Sequence, residues 1–209
     1  MSKDLDQALV EACVGNAHGN LSRVRELVEQ HPELVNARAP WNETPIEAAT
    51  QLGRKDIIDY LLSKGAPVDF FTACVLGRRD LVEAELARDP TRARSHGVHG
   101  LPALYFAAIG GQPQIAEVLL AHGADVNDGA QAAAPIHGAV LGGSGEMIAW
   151  LLGRGADPAV PDHEGRSAPD LARAMGREDL AALFPRGDSP LEAAAPGDPG
   201  PRHPPATGS

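Results

Sequence analysis

Residues 102–111 read PALYFAAIGG, and residues 115–127 read IAEVLLAHGADVN. The first stretch is a short run of apolar residues that ends in two glycines, and the second carries a Leu-Leu pair before Gly-Ala. Gly123 stands where a helix is expected to end in a left-handed conformation, which glycine adopts without steric cost. The segment therefore predicts two short helices joined by a tight turn, with a loop that starts at Gly123.

The same two-helix pattern recurs along the chain. Copies of it are visible at residues 44–53, 57–69, 134–143, 147–158 and 167–176. Gly111, Gly143 and Gly176 end three of the first helices and are spaced 32 and 33 residues apart. A period of about 33 residues indicates a stack of helix pairs, because one pair cannot bury its apolar face without a neighbour.

Two motifs resemble those of the ankyrin-repeat family, whose pattern is G-x-T-P-L-H-x-A-A-x-x-G, then a second helix, then G-A-D-V-N. Residues 123–127 read GADVN, and residues 135–137 read Pro-Ile-His. The resemblance extends over roughly residues 5–184. It implies an all-α solenoid of helix-turn-helix units with short β-hairpin or loop fingers between them. We expect six units, near residues 5–31, 42–66, 70–89, 100–124, 132–156 and 165–184.

The repeats are uneven in two places. Gly53 and Gly77 are only 24 residues apart, so the finger between units two and three is expected to be missing. Residues 15–20, GNAHGN, read as an enlarged turn in unit one, because glycine and asparagine favour turns.

Residues 185–209 contain seven prolines and four glycines and show no helical or strand periodicity. This composition is typical of a disordered tail. The tail holds Arg186, Gly187 and Asp188, which resembles an integrin-binding tripeptide, but a motif this short arises often by chance and no role is predicted for it.

Composition narrows the class of function. The net charge is −10, so an acidic surface disfavours nucleic acid as a partner. No apolar run is long enough to span a membrane, and the N-terminus lacks a signal-peptide pattern. Cys13 and Cys74 are expected to be reduced core residues, which fits a cytoplasmic protein. The excess of arginine over lysine, 15 against 3, suggests a bacterial-type sequence from a GC-rich genome.

Catalytic, cofactor and metal motifs are not recognisable in the sequence, so neither an enzyme nor a bound cofactor or metal is expected. His96 and His99 lack a third ligand nearby. His137 is interpreted as structural, since the resemblance implies that this histidine forms hydrogen bonds within and between repeats.

The resemblance implies a protein partner, bound through the finger tips and the exposed side of the first helices. Carrying the register over gives thirteen candidate groove residues: Trp41, Glu43, Gln51, Leu52, His99, Leu101, Ile109, Gln131, Leu141, His163, Glu164, Arg166 and Met175. Trp41 either contacts the partner or folds back over the core of unit one. The predicted function is a monomeric interaction module or scaffold that regulates a partner protein. A secreted effector acting on host proteins and a non-catalytic subunit of an enzyme complex remain alternatives.

Overall fold

The computed structural model describes residues 6–129 and 132–185. Within them, twelve α-helices follow one another as six pairs, which confirms the all-α solenoid. The helices are α1 (Gln7–Ala17), α2 (Leu21–Gln30), α3 (Pro45–Gln51), α4 (Lys55–Ser63), α5 (Phe70–Leu76), α6 (Arg79–Arg88), α7 (Ala103–Ile109), α8 (Pro113–Ala121), α9 (Pro135–Leu141), α10 (Gly145–Leu152), α11 (Ala168–Ala174) and α12 (Glu178–Ala181). None of these helices is both long and apolar enough to cross a membrane.

Local sequence fixes where the first helix of a unit begins and ends. At the start of α3, the Glu47 carboxylate accepts a hydrogen bond from the Thr44 backbone N–H at 2.7 Å. The Thr44 hydroxyl in turn accepts one from the Glu47 N–H, so both form a capping box. The turn after α3 passes through Gly53, whose φ of 61° is a left-handed conformation suited to glycine.

The first helices pack side by side, with α7 between α5 and α9. Their approach is so close that glycine is required at two helix ends. A Cβ on Gly110 would lie 2.3 Å from the carbonyl oxygen of Val75, and one on Gly142 would lie 2.2 Å from that of Ile109. The core around these contacts is rich in alanine, which leaves room for the helices to approach.

Polar side chains also join neighbouring units. Asn127 donates from its amide to the Gly155 carbonyl at 3.1 Å and accepts from the Asp157 N–H at 2.7 Å. The Asn of the GADVN motif therefore ties unit four to unit five. In the core, the hydroxyls of Thr50 and Thr72 share a buried hydrogen bond of 3.0 Å.

The enlarged turn predicted for unit one is wrong. Helix α1 continues to Ala17, and only His18 and Gly19 form the turn before Asn20 caps α2. Burial of Ala17 and a hydrogen bond from the Asn16 side chain to the Ala12 carbonyl at 2.8 Å hold this end of the helix. The extra length of unit one lies at the N-terminal end of α1.

The row of fingers has a gap, as the glycine spacing predicts. Residues 64–69 lead from α4 into α5, where the Asp69 side chain caps the helix by accepting from Thr72 N–H at 2.7 Å. Across this gap, the fingers before units two and four border an open cavity of about 260 Å³. In the described residues, the fingers hold one isolated antiparallel bridge, between His96 and Pro102, and no regular strand. The predicted tail lies outside the described residues, apart from Pro185.

Candidate protein-binding groove

An open cavity of about 360 Å³ runs along the finger side of the first helices from unit two to unit six. Its walls come from the ends of α3 and α9, from α7 and α11, and from the fingers before units four, five and six. The residues that line it are Gln51, Leu52, His99, Leu101, Tyr105, Ala132, Ala133, His137, Leu141, Asp162, His163, Arg166 and Leu171. We call this cavity the groove.

Seven of the thirteen predicted residues line the groove: Gln51, Leu52, His99, Leu101, Leu141, His163 and Arg166. Leu52 and Leu141 are each 36% exposed, although they are large apolar side chains. Both face a cavity whose floor includes the buried side chain of Leu101. Exposed apolar side chains that share one concave surface are typical of a binding site, whereas scattered ones are ordinary.

Three predicted residues are buried, which contradicts their assignment as exposed. Glu43 is 1% exposed, and Leu101 and Ile109 are each 4% exposed. Glu43 is drawn inward because the finger turns sharply, with Ala39 N–H donating to the Glu43 carbonyl at 2.9 Å. Ile109 packs beneath Gly53 and Gly142, between two units, and does not line the groove.

Three other predicted residues, Trp41, Glu164 and Met175, are exposed but do not line the groove. Trp41 is 47% exposed, so its indole does not seal the core of unit one. Glu164 pairs with Arg166 at 2.8 Å. Gln131 lies outside the described residues.

Six lining residues are not among the predicted groove positions: Tyr105, Ala132, Ala133, His137, Asp162 and Leu171. Asp162 is the charged one, and it holds Arg166 at 2.9 Å. Burial opposes ionisation of Asp162, but hydrogen bonds from the backbone and side chain of Arg166 outweigh it and hold its pKa below the ordinary value. The sequence did contain a signal for this pair, because Asp162 and Arg166 carry opposite charges and are four residues apart in one finger.

His137 forms hydrogen bonds that connect unit five with the finger of unit six. Its Nδ1 accepts from the Ala134 N–H at 3.2 Å, and its Nε2 donates to the Arg166 carbonyl at 3.2 Å. Burial is the main cause that lowers its pKa below the ordinary value of an imidazole. This geometry fits a structural role, since both ring nitrogens are already used.

The two histidines of the finger before unit four, His96 and His99, have different acidic neighbours. His96 lies 3.0 Å from Asp128, whereas His99 faces Glu43 at 3.8 Å. Among the described residues, no group of three histidine, cysteine or acidic side chains is arranged to hold a metal ion.

Both thiols are fully buried, at 0% exposure for Cys13 and Cys74. Burial raises the pKa of Cys13 to about 11 and raises that of Cys74 as well. Because the thiolate is the reactive form, we expect the native chain to react with iodoacetamide at least about a hundredfold more slowly than the chain unfolded in urea. Mass spectrometry of the alkylated chain measures this, and rapid labelling of either thiol in the native chain would contradict it.

Comparisons with known proteins agree with the repeat pattern. A family model described as "Ankyrin repeats (3 copies)" matches residues 70–162. The chain is 31% identical over 125 residues to cyclin-dependent kinase 4 inhibitor B of Rattus norvegicus, an alignment that covers 58% of this chain and 93% of that protein. It is 33% identical over 136 residues to cyclin-dependent kinase inhibitor 2A of Homo sapiens, covering 63% of this chain and 80% of that protein.

Another relative is far longer than this chain. Over 173 residues the chain is 32% identical to BCL-6 corepressor-like protein 1 of Homo sapiens. That alignment covers 82% of this chain but only 9% of the relative. The chain thus spans less than a tenth of that relative. These three relatives are mammalian and give no support to a bacterial origin.

Proposed function

This chain belongs to the ankyrin-repeat family, and from that premise we propose that it binds a partner protein in the groove and regulates the partner by occupying its surface. The observation that carries the proposal is the apolar wall formed by Leu52 and Leu141 over the floor at Leu101. Concave surfaces of this kind receive the anchoring side chains of a partner.

The names of two relatives support a protein as the partner. Cyclin-dependent kinase 4 inhibitor B and cyclin-dependent kinase inhibitor 2A are both named as inhibitors of kinases, which are themselves proteins. In our proposal the chain is a non-catalytic binding protein. It works as a monomer in the cytoplasm, without nucleic acid or membrane, through an ankyrin-repeat domain at residues 1–184 that precedes a tail.

The change Leu141→Glu tests the groove. It places a charge on the apolar wall, and since Leu141 is already 36% exposed, the fold is expected to tolerate it. We expect affinity for a captured partner to fall at least about tenfold, because a charge must be desolvated where an apolar contact stood. Affinity capture identifies the partner, and isothermal titration calorimetry measures its binding.

The matched control is Leu81→Glu, because Leu81 is 39% exposed and lies on the second helix α6, outside the groove. This variant is expected to bind as well as the unmodified chain. Equal affinity of the Leu141→Glu and Leu81→Glu variants would show that the partner does not use the groove. Leu101 is unsuitable for this test, because a charge at its buried position would disrupt the finger.

A further inference from the structure

The Glu43 carboxylate lacks a hydrogen bond at one of its two oxygens. Its Oε2 accepts from the Trp41 indole N–H at 2.9 Å, while Oε1 is buried and has no donor among the described residues. The Nε2 atoms of His18 and His99 lie 3.8 Å from Oε2 and Oε1, respectively. This distance is too long for a hydrogen bond, so neither imidazole supplies the missing donor.

A buried carboxylate oxygen without a donor is unfavourable, and native structures leave few buried polar groups unpaired. Gln51 provides a second acceptor of this kind. Gln51, whose Oε1 is also buried without a donor in the described residues, lines the groove together with His99. The unit-two end of the groove is therefore short of hydrogen-bond donors.

His99 lines the groove, and its Nε2 also faces Glu43 Oε1 at 3.8 Å, so this side chain connects the buried carboxylate with the groove. Its side chain is 53% exposed and makes no hydrogen bond in the described part of the chain. Its backbone is held at φ 57°, a conformation that is uncommon for a residue other than glycine. Because the imidazole is exposed, its rotation into solvent would give up only the 3.8 Å contact with Glu43 and would uncover Oε1 on that side.

Trp41 provides an aromatic surface beside the same carboxylate. The indole is 47% exposed, and its N–H fixes the ring against Glu43. An arginine guanidinium matches such a site, because it is planar, stacks on aromatic rings and donates to a carboxylate. The net charge of −10 on the chain also favours the approach of a basic segment.

We propose that Glu43 and Trp41 form a subsite for an arginine side chain of the partner, reached when the His99 imidazole turns aside. The guanidinium donates to Glu43 Oε1 and stacks on the Trp41 ring. This inference rests on the proposed function, because it names the chemistry of the partner segment that enters the unit-two end of the groove.

The test uses N-acetyl-argininamide as the probe and N-acetyl-citrullinamide as its neutral counterpart of nearly the same shape. Two-dimensional ¹H–¹⁵N NMR follows the indole N–H signals of the two tryptophans, and the Trp41→Phe variant identifies the Trp41 signal. We expect a saturable shift of the Trp41 indole signal with the arginine probe, and affinity at least about tenfold weaker for citrulline.

Two variants separate the subsite from a general effect of charge. Glu43→Gln keeps an acceptor for the Trp41 N–H but removes the charge, and it is expected to abolish the preference for arginine. Glu164→Gln makes the same change at an exposed acid beside the groove and is expected to leave the titration unchanged. If Glu43→Gln does not fold, the comparison of the two probes on the unmodified chain decides.

Equal shifts with the two probes, an unchanged preference in a folded Glu43→Gln variant, or no shift up to about 100 mM probe, each overturns the subsite. The result is independent of the groove test. Leu141→Glu is expected to leave the arginine titration intact while it weakens partner binding, so the subsite and the proposed function can fail separately.

Discussion

Replacement of Gly142 with alanine is expected to lower the free energy of unfolding by about 3 kcal/mol, although alanine is the better helix former. The added Cβ would lie 2.2 Å from the carbonyl oxygen of Ile109, and the obstacle is backbone, which no rotation of a side chain can relieve. Helices α7 and α9 must therefore move apart, which loosens the contact between units four and five. Urea unfolding followed by circular dichroism measures the loss.

The matched control is Gly15→Ala, in the interior of α1, where an added Cβ meets nothing within 4 Å. That change is expected to stabilise the chain by about 0.5–1 kcal/mol, because alanine loses less conformational freedom in a helix. The two substitutions are chemically identical, so opposite signs isolate the steric cost at the helix contact. A Gly142→Ala variant as stable as Gly15→Ala would show that α7 and α9 can separate freely.

The two glycine pairs illustrate what the repeat pattern can and cannot predict. Gly111 and Gly143 take positive φ values of 63° and 69°, which a tight turn after a helix requires and which the pattern predicts. Gly110 and Gly142 have ordinary helical φ values of −71°. Their role is clearance from the preceding unit, and this depends on the distance between helices, which a single sequence does not contain.

In the candidate groove, too, the repeat pattern predicts some features and cannot predict others. Repeat register assigns residues to a finger or to a helix end. Leu52 and Leu141, at adjacent positions near the ends of α3 and α9, and His163, in the finger before α11, all line the groove. Register does not tell whether a side chain turns inward. Glu43 and Ile109 are buried because of a sharp turn in one finger and close packing between units, and both are tertiary effects.

The change His137→Leu is expected to lower the free energy of unfolding by about 2–4 kcal/mol at pH 8. Leucine preserves much of the apolar volume but leaves two buried backbone groups without partners, the Ala134 N–H and the Arg166 carbonyl. Because Arg166 belongs to the finger of unit six, the loss also loosens the wall of the groove. As a control, His122→Leu removes one hydrogen bond, to the Val118 carbonyl, from a partly exposed site and is expected to cost about 1 kcal/mol.

The stabilisation by His137 is also expected to depend on pH. Burial lowers its pKa in the native chain, so the unfolded chain takes up a proton more readily than the native one. The contribution of the neutral imidazole is therefore fully present above the ordinary histidine pKa of about 6.5 and is lost as the pH falls through the lower native value. The stability difference between the unmodified chain and His137→Leu should shrink from pH 8 to pH 5 in urea unfolding. A difference that grows toward pH 5 would mean that the native site prefers the protonated ring. That result would contradict the two backbone contacts, because Nδ1 must stay unprotonated to accept from the Ala134 N–H while Nε2 donates to the Arg166 carbonyl.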